Sequence, residues 1–305
     1  MKKRGFTLVE LLVVIAIIAL LMGILMPALA RVRQLAFRMT CGTNLSGIGK
    51  AMLIYANDYE DELPRAGGRN STWGTVTYGA ANRQAAFGLG ADGSGGKATI
   101  TSCFYLLVKY AEVTPKSFIC KGDSGTTEFK LSDLTSSGAT TSTTELIDLW
   151  DFGPAATAFK SCSYAYHVPF GSYALTVSSE PSFAVAADRN PWLKSPAGDA
   201  QVFGNFKPDL TGYTGGTTET AKAGNAVAHR NEGQNVMFLD THVDFEKRAY
   251  CSLEDDNIYT ISSVTDKGSP LGVVPTASNY QPLNRKDSVL IHDPDAFSGG
   301  GATRR

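Results

Sequence analysis

The chain has 305 residues, 43% of them hydrophobic and 19% charged, with a formal net charge of −1. That is too apolar for a disordered polymer and long enough for one or two packed domains. Setting aside Lys2, Lys3 and Arg4 leaves 25 basic against 29 acidic residues, net −4, which argues against a nucleic acid as the main partner.

The first element is an apolar run. From Phe6 to Met26 every residue except Thr7, Glu10 and Gly23 is apolar, and as a helix the run is about 31 Å long, enough to cross a bilayer. Lys2, Lys3 and Arg4 precede it without an acidic residue, so the positive-inside tendency places the N-terminus in the cytoplasm and the remainder outside. A secretory signal peptide has the same layout, with "ALA" at Ala28 to Ala30 as its cleavage site. Glu10 is the difficulty for that reading and for a plain anchor, because a carboxylate in lipid is expensive unless it has a partner.

The stretch "KKRGFTLVE" combines a short basic leader, Gly5, Phe6 and Glu10 at the head of an apolar run. It resembles the processing site of bacterial type IV prepilins and type II secretion pseudopilins. The resemblance implies cleavage between Gly5 and Phe6 by a prepilin peptidase and N-methylation of Phe6. It also implies an assembly contact between Glu10 and the Phe6 amine of a neighbouring subunit. A carboxylate costing about 2.5–3.5 kcal/mol at mid-membrane loses much of that penalty on meeting an ammonium. Pro27 stands where this family often has a helix-kinking proline.

Beyond the span, Leu29, Val32, Ala36 and Met39, then Ile48, Met52, Tyr55 and Tyr59, recur at helical spacing. The expectation is a transmembrane helix over 6–27 continued by an extracytoplasmic amphipathic helix over 28–63 and ended by Pro64. Gly42, Gly47 and Gly49 each cost about 1 kcal/mol against Ala in a helix, which predicts a break or bend between Cys41 and Gly49. The acidic cluster Asp58, Glu60, Asp61 and Glu62 reads as a solvated helix end, since no ligand-spaced loop accompanies it.

After Pro64 short apolar runs alternate with Gly, Ser, Thr, Asn and Pro, a strand-and-turn texture. "TSCFYLLVKYAEV" predicts a second helix with Phe104, Leu107, Val108 and Ala111 on one face, whereas "SCSYAYHV", "SFAVAADR" and "NVMFLDTHVDFEKR" predict strands. The head is thereby an α+β domain over 64–296 with an antiparallel sheet, preceded by a leader over 1–5 and followed by a flexible tail over 297–305. Cys41, Cys103, Cys120, Cys162 and Cys251 form no CxxC motif, and their odd number leaves at least one free thiol. Disulfides are permitted outside the cytoplasm, but spacing does not choose the pairs.

"HRNEGQNVMFLDTHVDFEKR" reads as a hairpin turning at Asp240 and Thr241, with Leu239 opposite His242, Phe238 opposite Val243 and Val236 opposite Phe245. In that register Val236, Phe238, Val243 and Phe245 share the core face. His229, Asp240, His242 and Val243 resemble the signature of the prepilin-type processing-associated domain, a His followed about ten residues later by Asp-Gly-His-Val. Thr241 replaces its Gly, and a β-branched residue resists the positive φ of a tight turn. "NLSGIGKAMLIYANDYEDELP", "FICKGD", "SYAYH" and "VAADR" resemble further segments of those families.

His229, Asp240, His242 and Asp244, with Asp188, are weak candidates for a metal or hydrolytic site by residue type. Asp and His at strand ends more often hydrogen-bond turns, and no GxSxG, HExxH or P-loop pattern supports an enzyme. The resemblance implies a structural subunit of the inner membrane without a cofactor. Its implied partners are a prepilin peptidase, other pilin-like subunits, inner-membrane assembly proteins and lipid. The alternative is a membrane-tethered extracytoplasmic binding module that is processed but does not polymerise.

Overall fold

The computed structural model describes residues 7–136, 145–171, 173–264 and 269–294. The expected leader and the expected tail over 297–305 lie outside the described residues. The architecture is α+β, with a long N-terminal helix and a five-stranded antiparallel sheet.

Helix α1 spans Leu8–Asp58 in 51 residues, about 76 Å if straight. Its first half carries a mean hydropathy of 3.1 over an 18-residue window, none of it covered by the other described residues. Its second half buries Cys41, Leu45, Ile48, Met52 and Tyr55 at alternating spacings of four and three, one face of a helix. The predicted break is absent. Gly42 and Gly49 are instead points of close approach: a Cβ on Gly42 would meet Asn235 Oδ1 at 3.1 Å, and one on Gly49 would meet Met237 Sδ at 2.5 Å. The helical cost of each glycine is offset by the packing that it permits.

The sheet comprises β1 (Tyr164–His167), β2 (Ala184–Asp188), β3 (Gln234–Phe238), β4 (Val243–Glu246) and β5 (Leu290–Ile291). Their spatial order is β4-β3-β2-β1-β5, with every neighbouring pair antiparallel. Every residue of β1, β2 and β3 is buried, because both sheet faces are covered. One face, with Tyr164, Tyr166 and Met237, packs on α1 and on a second helix, α2 (Ile100–Tyr110). The other, with Ala187, Val236 and Phe238, packs on Trp192, Phe206 and Tyr259. Double coverage explains why β2 and β3 read as continuous apolar runs rather than alternating ones.

The hairpin differs from its predicted register by one position. Val236 pairs with Asp244 and Met237 with Val243, while Phe238 N–H donates to His242 O (3.0 Å) and Thr241 N–H donates to Phe238 O (2.9 Å). The loop is therefore Leu239, Asp240 and Thr241, and of these only Thr241 has positive φ, at 70°. A one-residue slip exchanges the faces. Met237 and Val243 turn toward α1, Val236 and Phe238 lie on the opposite face, and Val236, Phe238, Val243 and Phe245 do not share one side. A three-residue hairpin loop closing on one left-handed residue favours glycine there, the position occupied by Thr241.

Helix α2 is capped from a distance. Asp293 accepts from Ile100 N–H (2.9 Å), Thr101 N–H (2.7 Å) and Trp73 Nε1–H (2.8 Å). Beside it, buried Asp151 accepts from the hydroxyls of Thr99 (2.7 Å) and Thr101 (3.2 Å) and from Phe152 N–H (2.8 Å). Burial, reinforced by the Asp293 charge, pushes Asp151 up from 3.8 to about 7.

Two outcomes test this description. Thr241→Gly removes a β-branched side chain from left-handed backbone and should stabilise the head by roughly 0.5–1 kcal/mol, a rise in Tm of about 1–4 °C; an unchanged or lower Tm in thermal unfolding would contradict the loop geometry. For Asp151, the folded chain keeps a proton that the unfolded chain has lost between pH about 4 and 7, so stability falls as pH rises through that window. Asp151→Asn lacks this loss. Its stability relative to the parent should climb from pH 4 to 7 and then level off. His167 and His292, lowered by burial to about 4 and about 3, act in the opposite direction in both proteins and cancel in the difference. A pH-independent difference in urea unfolding would show that Asp151 titrates normally.

Candidate functional site

The N-terminal end of α1 is built by a capping box. Thr7 is the N-cap, in extended conformation at φ −85° and ψ 151°, and its Oγ1 accepts from Glu10 N–H at 3.3 Å. Glu10 Oε2 returns the contact, accepting from Thr7 N–H at 2.8 Å and from Thr7 Oγ1–H at 2.7 Å. The hydrogen-bonding capacity of Glu10 is thus partly met within its own chain, while its negative charge finds no cation among the described residues. Gly5 and Phe6, the expected cleavage pair, lie outside the described residues. Farther along, the helix runs through Pro27 without interruption, although proline removes one donor from its ladder.

The C-terminal candidates divide into two groups at opposite ends of β3. At the hairpin end, Asp240 Oδ1 accepts from His242 N–H at 3.1 Å and also bonds His242 Nδ1. Asp244 Oδ2 lies 3.9 Å from His242 Nε2. These side chains are 45–68% exposed, and the His242 ring stacks on Phe238 at 4.4 Å. Asp240 closes its own turn, as the structural reading of a strand-end Asp expects.

His229 belongs elsewhere. It ends the short turn Val227–His229, ahead of Arg230 and Asn231, both left-handed at φ 59° and 58°. Asn225 braces that loop by donating to Asn231 O (3.0 Å) and Lys247 O (2.9 Å). The imidazole Nε2 then lies 3.1 Å from Asp188 Oδ2, 3.2 Å from Asn235 Nδ2 and 3.8 Å from Cys120 Sγ. Asp188, at the end of β2, also accepts from Asn235 N–H at 2.7 Å and from Asn235 Nδ2–H at 3.1 Å. The four candidates His229, Asp240, His242 and Asp244 consequently do not form one site; His229 pairs with Asp188, and the other three form an exposed turn.

Sequence reasoning missed three members of the buried group: Cys41, Cys120 and Asn235. Cys41 on α1 and Cys120 are joined in a disulfide with Cα atoms 5.2 Å apart, while Cys103, Cys162 and Cys251 carry free thiols. Asn44, one turn along α1, donates to Ile119 O at 3.1 Å and holds the Cys120 segment against the helix. The available signal was that Cys120 lies within the family-like segment "FICKGD" and Cys41 lies three residues ahead of the family-like "NLSGIGK".

Beside this group an open groove runs between α1 and the hairpin, lined by Leu35, Arg38, Met39, Gly42, Val243 and Phe245. Arg38 lies over the Phe245 ring at 4.3 Å and pairs with Glu232, which ties the middle of α1 to the hairpin. What this region does mechanically is plain from the contacts: it fixes the outer half of α1 to the sheet.

Residues 1–26 match the family model described as the prokaryotic N-terminal methylation motif. No curated protein and no solved structure matched the chain. The motif and the uncovered apolar half of α1 together support a type IV pilin-like protein of the kind processed by prepilin peptidase.

Proposed function

We propose that this chain is a pseudopilin or minor pilin: a structural subunit cleaved between Gly5 and Phe6, methylated on Phe6 and assembled in a type II secretion or type IV pilus-like system. The observation that carries this reading is the motif over residues 1–26 coinciding with an apolar helix that none of the other described residues covers. In such a subunit the span rests in the inner membrane with the head on the extracytoplasmic side, and the other pilin-like chains supply what the isolated helix lacks. The head of about 230 residues is large for a repeating filament subunit, which favours a minor or accessory position.

Glu10 is the assembly contact. Its carboxylate accepts from Thr7 N–H and Thr7 Oγ1–H at the helix N-terminus and meets no cation among the described residues. An ammonium from an adjacent chain offsets the cost of that charge in lipid. The same capping box also favours the second reading, a tethered module that does not polymerise, because it gives Glu10 a role inside a single chain.

Glu10→Val separates the two. Membrane insertion and cleavage should survive, because the apolar span is intact, while recovery in sheared filaments or with other pilin-like subunits should fall at least tenfold at matched membrane levels. Equal recovery would favour the tethered module. Gly5→Leu should leave inserted, unprocessed protein; normal processing of that variant would contradict the assigned cleavage site.

A further inference from the structure

A disulfide needs only two cysteines, yet the Cys41–Cys120 bond has a buried imidazole and a buried carboxylate beside it. One ligating atom from each of Cys41, Cys120, Asp188 and His229 lies within 4.8 Å of all the others, and all four residues are buried. We propose that, when the disulfide is open, these four residues form a site for one divalent cation of the zinc class. The inference goes beyond the pilin-type reading and does not depend on it.

The geometry is close to what such a cation requires. Zinc with bonds of about 2.0–2.3 Å to nitrogen, oxygen and sulfur holds its ligands roughly 3.3–3.8 Å apart in a tetrahedron. His229 Nε2 is already 3.1 Å from Asp188 Oδ2 and 3.8 Å from Cys120 Sγ. Opening the S–S bond moves the sulfurs toward that spacing. Two thiolates and an imidazole select zinc over calcium or magnesium. The outer support is in place, since Asn235 holds Asp188 Oδ2 through its N–H (2.7 Å) and its Nδ2–H (3.1 Å). Asp188 Oδ1 is buried with no hydrogen bond among the described residues, so the carboxylate is not fully satisfied by its protein partners.

The ligands come from α1, the segment after Phe118, the end of β2 and the turn before β3, so the metal would join the same elements that the disulfide joins. A dithiol reductant opens the bond by exchange, becoming a disulfide itself and leaving two thiols on the chain. The cation then binds as those thiols release two protons. In the reverse direction a partner disulfide oxidises the two thiolates, is itself reduced and takes two protons from water to become two thiols, and the cation leaves.

The test uses the full-length chain in detergent, reduced with a phosphine, freed of reductant and titrated with Co2+ beside the oxidised protein. The expected result is one equivalent bound by the reduced form, with a near-ultraviolet thiolate-to-cobalt band and the visible bands of four-coordinate cobalt, and none bound by the oxidised form. Zn2+ should displace the cobalt, and adding oxidised glutathione should release the metal to a chromophoric chelator. His229→Ala should weaken binding at least tenfold and change the visible bands. The wild-type redox comparison stands even where a variant fails to fold. A reduced chain that shows no thiolate band, or that unfolds by circular dichroism and is not restored by cobalt, would overturn the proposal. So would equal binding by the oxidised form or an unchanged His229→Ala.

Discussion

Helix α1 has to satisfy two surroundings with one unbroken rod. Its outer half supplies Leu45, Ile48, Met52 and Tyr55 to the core, each contributing about 1.5–3 kcal/mol by burial. Its inner half presents Leu8, Val9, Leu20, Ile24 and Leu25 more than half exposed to whatever surrounds the isolated chain. The Cys41–Cys120 bond stands at the beginning of the buried half and closes a loop of 79 residues, worth about 4.5 kcal/mol in chain entropy. The helix therefore cannot leave the sheet without dismantling the head, and the apolar rod projects from a rigid base.

That base also explains the polar residues within it. Asp188 Oδ2, His229 and Asn235 contact one another where α1 meets β3, while Asp188 Oδ1 has no hydrogen bond among the described residues, and Arg38 reaches from the helix to Phe245 and Glu232 just outside. A partly satisfied polar cluster in a packed interior is costly. Here it lies against the disulfide, where position rather than burial alone determines what each group can do.

Much of the architecture was legible in the sequence because periodicity and turn chemistry agreed over long stretches. The apolar run, the buried stripe of Ile48, Met52 and Tyr55, helix α2 and the strands at "SYAYH", "VAAD" and "QNVMF" appear, whereas Leu29, Val32, Ala36 and Met39 are helical but exposed. Two readings failed for identifiable reasons. Gly42 and Gly49 carry a helical penalty in isolation, whereas their benefit is contact with Asn235 and Met237, nearly two hundred residues away. The hairpin register hinged on whether two or three residues formed the loop, and both faces of β3 were apolar, so hydrophobic pattern could not choose between them. The pairing of Cys41 with Cys120 and the separation of His229 from His242 depend on tertiary placement that no local spacing encodes. Gly5 and Phe6 are legible only as a motif.

The proposed function requires the first ten residues to be read by an enzyme and then by a neighbouring chain. Glu10 is tolerable in a single helix because Thr7 shares its hydrogen bonds, but only a cation offsets its charge. In the proposed subunit, removal of the basic leader would create a cation one residue before Thr7, so that one chemical change would join processing to assembly. The most direct measurement is mass spectrometry of the N-terminal peptide of protein recovered from its native membrane. The account predicts a chain that begins at Phe6 and carries one methyl group on its amine; a chain that retains Met1, or that begins at or just after Ala28 to Ala30, would contradict it.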